Sequence, residues 1–114
     1  MSVSHRVKYN DLFYLLDSKT LLAKTYYELG EDEPLNSLTS SFRALLRRKR
    51  TISDTHRKNY SNLLYFISQL TRVDVKDKRA LEELKKEFES TSQIADAGWL
   101  REKFTELGLS FENL

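Results

Sequence analysis

The sequence predicts an all-α fold of antiparallel helical hairpins, about five helices in all, and three observations predict it. Apolar residues recur at spacings of three and four, and no segment shows the strict alternation of a half-buried strand. Only three Gly and one Pro occur in 114 residues, too few for an all-β chain that must turn roughly every ten residues. The run LLAKTYYELGEDEPLNSLTSSFRALL, from Leu21 to Leu46, spells a helix, a tight turn and a second helix.

The first helix is expected over about residues 8–29, where Leu12, Leu15, Leu16, Leu22, Ala23 and Tyr26 form a broad stripe. Gly30 stands where the chain needs positive φ to leave that helix. Pro34, at the first helical position, opens a second helix over about 34–49, with Asp32 and Glu33 complementing its dipole. Leu35, Leu38, Phe42, Leu45 and Leu46 take one side of it, and Asn36, Ser40, Arg43 and Arg47 the other. Ser53 caps a third helix that runs to about Thr71. Its Tyr60, Leu63, Leu64, Ile67 and Leu70 make a face that Tyr65 and Phe66 widen, so this helix should be the most buried.

Asp74 is the expected cap of a fourth helix, about 75–90, with a narrow stripe of Ala80, Leu81, Leu84 and Phe88. Lys78 with Glu82, Arg79 with Glu83, Glu82 with Lys86 and Lys85 with Glu89 lie four apart, each pair contributing about 0.2–0.5 kcal/mol on an exposed face. Such a helix belongs on the outside. After a polar linker, a fifth helix from about Asp96 to Leu107 carries Ala97, Leu100, Phe104 and Leu107 and stops at Gly108, with Trp99 as its docking residue.

Length and composition bound the function classes. A chain of 114 residues is sized for one domain, and residues 1–114 are expected to form one. A hydrophobic fraction of 39% with 32% charged residues describes a globular, well-solvated protein, not a disordered one. With no Cys there is neither a disulfide framework nor a thiol catalyst. No run approaches the roughly 20 apolar residues of a membrane span, and MSVSHRVKYND lacks the apolar core of a signal peptide. A cytoplasmic protein is therefore expected, unless a leader of a longer parent precedes this piece. The net charge of +2 does not by itself imply a nucleic-acid partner.

The hairpin LLAKTYYELGEDEPLNSL resembles a tetratricopeptide repeat. Leu22 and Ala23 match the family's Leu and small-residue step, Tyr26 and Tyr27 its aromatic pair, and Gly30 its turn. The second helix departs from the pattern, with bulky Leu35 or Leu38 where the family has a small residue, and no closing Pro. More loosely, SFRALLRRKRTIS, NLLYFISQL and GWLREKFTEL look like the C-terminal end of long, uncharacterised bacterial helical-repeat proteins. The resemblance implies a short solenoid of stacked hairpins closed by a C-terminal capping helix, the charged fourth helix supplying the polar outer surface that an end needs. It also implies a ligand surface on the first helices of the hairpins, which here favours Lys19, Lys24 and Tyr27. If an upstream repeat is missing, the first helix carries groups such as Phe13 and Tyr14 without their neighbour, and the isolated fragment could dimerise. An internal match of YNDLFYLLDSKT with YSNLLYFISQLT is compatible with a true repeat or with the common demands of helical packing.

Candidate sites follow from side-chain chemistry. Tyrosine offers apolar area and a hydroxyl at small entropic cost. Tyr9, Tyr14, Tyr26, Tyr27, Tyr60 and Tyr65 could line a peptide groove; of these Tyr14, Tyr27 and Tyr65 lie toward stripe edges and are the better candidates, whereas Tyr26 and Tyr60 read as core. RALLRRKR followed by HRK places Arg43, Arg47, Arg48, Lys49, Arg50, Arg57 and Lys58 around one turn, with Asp54 the local acid. Of these, Arg43, Arg47, Arg48, Arg50 and Arg57 are the candidates for phosphate, nucleic-acid backbone or an acidic peptide. The bland reading is compensation of the helix dipole, and no reading helix or RNA-binding aromatic motif accompanies the charge. His5 and His56 are too far apart and lack a Cys partner for a zinc or thiol site. Glu28, Glu31, Asp32 and Glu33 lack the ligand pattern of a calcium loop and serve the helix start.

No catalytic residue, cofactor or metal is expected, and no membrane partner. The expected function is a non-enzymatic protein-interaction module whose partner is a protein or peptide. The alternatives are an anion-binding or nucleic-acid accessory domain using residues 43–58, and a purely structural solenoid cap.

Overall fold

The computed structural model describes residues 2–111, with side chains from residue 11 onward. Among the described residues there are five helices and no strand: α1 (Ser2–Leu29), α2 (Asp32–Arg48), α3 (Asp54–Arg72), α4 (Lys78–Ser90) and α5 (Ala97–Glu106). The all-α expectation holds. The chain divides into two compact units, one up to Phe42 and one from Arg43 onward, so the boundary falls inside α2.

In the first unit, Gly30 adopts φ 70°, and the turn closes with Gly30 N donating to Tyr27 O at 3.1 Å and Glu31 N to Tyr26 O at 2.9 Å. Both bonds occupy carbonyls that the end of α1 would otherwise leave bare. Glu31 O accepts from Leu35 N at 3.1 Å, so α2 begins two residues before the expected start and Pro34 is its third residue. Its missing N–H still falls within the first turn, where none is needed. Leu16, Thr20 and Ala23 of α1 and Leu35, Leu38, Thr39 and Phe42 of α2 are buried. The stripe read for α1 is corrected in part: Leu15 and Leu22 are exposed, and the buried row runs through Leu16, Thr20 and Ala23 instead. Thr20 hides its polarity by donating to Leu16 O at 2.8 Å.

In the second unit, Ser53 caps α3 as expected, its hydroxyl accepting from His56 N at 3.1 Å. Leu63, Leu64, Phe66, Ile67 and Leu70 of α3 are all buried, but α2 buries one residue more, adding Leu45 and Leu46 to the four already named, so α3 does not stand out as the most buried helix. The fourth helix is capped by Asp77, not Asp74. Asp74 instead accepts Lys76 N on its carboxylate at 3.0 Å and Asp77 N on its carbonyl at 2.9 Å. That local turn delays the helix until Asp77 can accept Ala80 N at 3.0 Å. The outer face of α4 is charged, and Arg79 pairs with Glu83 at 3.3 Å.

Asp96, at φ 53°, turns the chain into α5. The linker before it is pinned to α3 twice: Ala95 N donates to Asn59 O at 3.0 Å, and the Asn62 side-chain amide to Gln93 O at 2.7 Å. Helices α3 and α5 pack together. After α5, Gly108 at φ 95° lets the chain reverse, and Leu109 N donates to Phe104 O at 3.2 Å.

Phe88 is the hub of this unit. Its ring lies 5.5 Å from Phe66, 5.2 Å from Phe104 and 5.9 Å from Phe111, centroid to centroid, so one side chain of α4 touches α3, α5 and the tail. Replacing it leaves a cavity that three elements border. Phe88→Ala should therefore destabilise the chain by about 3–5 kcal/mol, and half-buried Phe111→Ala by only about 1–2 kcal/mol; urea denaturation of the two variants measures the difference.

Candidate functional site

A helix rotates about 100° per residue, and that geometry decides which of the candidate residues share a face. Tyr14 and Tyr27, thirteen positions apart on α1, point about 140° away from each other. Lys19 and Lys24 occupy two further directions, and Tyr65 belongs to α3 in the other unit. Tyr14, Lys19, Lys24 and Tyr27 thus do not share one face of α1. The side chains of His5 and Tyr9 lie outside the described residues.

Tyr14 is the most exposed of the five, at 76%. Tyr27, Lys19 and Lys24 are half-buried, as are Tyr26 and Tyr60. Tyr65 is engaged: its hydroxyl meets both carboxylate oxygens of Glu87 on α4, at 2.9 and 2.8 Å. That hydrogen bond to the carboxylate, with partial burial of the phenol, pushes the Tyr65 pKa above its ordinary 10.0.

Sequence reasoning missed the feature that stands out on α1. Tyr14, Leu15, Leu21, Leu22 and Leu29 are all exposed, Leu21 at 63% and Leu29 at 68%. They lie on the side of the helix opposite Leu16, Thr20 and Ala23, and only Ser18 and Thr25 interrupt them. The signal was available, since Leu15, Leu22 and Leu29 repeat every seven residues and Tyr14 and Leu21 lie alongside at the same spacing. Helix α1 is apolar on two opposite faces, which is the pattern of a helix covered on both sides. Asp17, Lys24 and Glu28 border the outer face along one edge and Lys19 along the other.

The basic turn separates into two kinds of cation. Arg57 is half-buried, and its guanidinium donates to Leu46 O at the end of α2 and to Ile52 O at 2.7 Å. It thereby satisfies a carbonyl left bare by the helix terminus and holds the turn between α2 and α3. Arg47, Arg48, Lys49 and Arg50 are exposed, and Arg43 is half-buried. Arg47 and Arg48 lie in the last turn of α2 and Lys49 and Arg50 just beyond it, where cations also complement the dipole.

Two open grooves mark the second unit. One of about 290 Å³ is lined by Gln69, Arg72, Ala80, Glu83, Leu84 and Glu87, with Val73 beside them, and the other by Gly98, Arg101, Glu102, Thr105 and Glu106. Among the described residues no group of three or more His, Asp or Glu is placed to hold a metal ion, and no helix is long and apolar enough to cross a membrane. Comparison of the chain with protein-family models, with curated proteins and with solved structures yields no match.

The two kinds of arginine should part on substitution. Arg57→Ala loses two charge-assisted bonds to carbonyls and should cost about 2–3 kcal/mol, with Arg57→Lys rescuing little because an ammonium lacks the fork that reaches both. Arg47→Gln and Arg50→Gln should stay within about 0.5 kcal/mol of the parent; thermal melts at fixed pH distinguish the pair. At Tyr65 the folded-state pKa is raised, so the neutral hydroxyl contributes stability that is complete below the ordinary value of 10.0 and lost as pH rises through the folded value. Melting curves from neutral to strongly alkaline pH should show that loss in the parent and lack this component in Tyr65→Phe.

Proposed function

We propose that this chain is a non-enzymatic protein-interaction module whose docking surface is the outer face of α1. The observation that carries the reading is the row Tyr14, Leu15, Leu21, Leu22 and Leu29, exposed together on a helix whose opposite face is already buried. A contiguous apolar strip bordered by charge is the kind of surface that another protein covers, and leucines and a tyrosine at helical spacing supply anchors for a helical ligand. Affinity would rest on a few of these side chains more than on total area.

The hairpin of α1 and α2 fits the tetratricopeptide-like reading in its helix–Gly–helix layout, and the charged outer face of α4 fits a polar end of a short solenoid. On that reading the docking helix would be the one that a preceding repeat covers in a longer array, and a purely structural cap is the limiting case in which that repeat is the sole partner.

The second reading, binding of an anion or nucleic-acid backbone, is favoured by the exposure of Arg47, Arg48, Lys49 and Arg50 in one short run. Arg57 would support that run from behind by holding the turn.

Photo-crosslinkers placed at Leu29 and at Arg48, in the chain and in a lysate of its source cells, separate the two. The expected result is protein adducts from position 29 that Leu21→Glu weakens roughly tenfold or more and that the triple variant R47Q/R48Q/R50Q leaves unchanged. Adducts confined to position 48, with nucleic acid captured and lost on raising salt, would instead make the basic turn the functional site.

A further inference from the structure

We infer that the outer face of α1 is covered by a second copy of the chain, the two α1 helices running antiparallel about a two-fold axis beside Leu21. This rests on the interaction reading and names the partner. The face is self-complementary in three respects, each fixed by residue spacing on a continuous helix.

Bulk comes first. Leu15 and Leu22 alternate with Ser18 and Thr25 along the strip. In an antiparallel pair centred near residues 20 and 21, Leu22 meets Ser18 of the partner subunit and Leu15 meets Thr25 of the partner subunit. Large side chains face small ones, so the helices approach closely and the leucines fill space. Leu21 sits beside the axis and meets its own counterpart, as a residue on an isologous interface must.

Charge sets the direction. Asp17 and Lys24 lie seven residues apart on one edge of the strip, one on either side of the axis. Antiparallel pairing brings Asp17 to Lys24 of the partner subunit and Lys24 to Asp17 of the partner subunit, two equivalent ion pairs from one symmetry element. A parallel two-fold pair would instead turn this edge toward the partner's opposite edge, and Asp17 would not meet Lys24. Lys24 has contacts within its own chain, and an ammonium with three donors can hold a second acceptor.

The ends match as well. The same register places the hydroxyl of Tyr14 beside the carboxylate of Glu28 of the partner subunit. Tyrosine donating to glutamate across two helices is a contact this chain already makes between Tyr65 and Glu87. The strip from Tyr14 to Leu29 is about 24 Å long, and two-fold pairing uses all of it.

The chain has no cysteine, so single cysteines report the register directly. Leu21→Cys should cross-link to itself under mild oxidation, Tyr14→Cys and Leu29→Cys should not, and a mixture of those two should cross-link to each other. In sedimentation equilibrium the parent should show a concentration-dependent dimer. D17K and K24D should each weaken it by about fivefold or more, and the charge-exchanged double variant should restore it; far-UV circular dichroism of each variant verifies that the helices are kept. Self-cross-linking at all three positions would mean parallel pairing and overturn the proposal. A parent monomeric throughout, while Leu29 still captures a different protein, would overturn self-pairing and leave the interaction reading standing. A monomer that captures nothing through α1 would overturn both.

Discussion

The second unit depends on Phe88 being reachable from three directions at once. A ten-residue helix such as α5 is marginal in water by itself, and α4 carries only a narrow apolar stripe, so neither would persist without tertiary contacts. Phe88 gives both helices a common partner, because its ring touches Phe66 on α3 and Phe104 on α5. Phe111 then closes the cluster from the tail, with Lys85 at 5.1 Å and Arg101 at 5.6 Å from its ring. The cations shield the aromatic edge from water while keeping their own charge solvated. Lys103 follows the same logic at the other side of α5. Its stem is buried, and its ammonium reaches Glu106 at 2.9 Å and lies over the Trp99 ring.

Local chemistry was legible in the sequence wherever a single residue decides it. Gly30 and Gly108 take positive φ, Ser53 caps its helix, and the apolar spacing of α3 gives its buried face without ambiguity. Where two residues compete, sequence alone did not decide: Asp74 and Asp77 are both good caps, and the winner is the one whose carboxylate is three residues ahead of a free N–H after the intervening turn has formed. Leucines of α1 posed a different difficulty. Periodicity tells which residues are apolar, but a helix with two apolar faces offers two stripes, and nothing local says which one has a neighbour. Periodicity groups Leu15 and Leu22 with Leu16 and Ala23, yet only the latter two are buried. Arg57 was hidden for a third reason, since its partners are backbone carbonyls of Leu46 and Ile52, which have no signature in the sequence.

The candidate surfaces divide along the same line. The basic run announces itself in the sequence because charge is visible there, yet the structure shows one of its members spent on holding a turn. The apolar strip of α1 is quieter, being leucines among leucines, and emerges only when exposure is known. Of the five residues chosen as groove candidates, Tyr14 lies on that strip, while Tyr65 has its hydroxyl engaged by Glu87. A tyrosine on a stripe edge can be either, and only the presence of an acceptor on the neighbouring helix decides.

The two hydrogen bonds that pin the linker to α3 have a consequence for how α4 behaves. The bond from Asn62 to Gln93 spans 31 positions, and α4 lies wholly within the loop it closes. A helix inside a closed loop cannot gain the full freedom of an open chain when it loosens, because its two ends stay tethered while the pins hold. Transient opening of α4 is thereby made less rewarding in entropy, and it becomes a contained event that reverses without re-searching for its place. The two pins act on α4 as a non-covalent clasp.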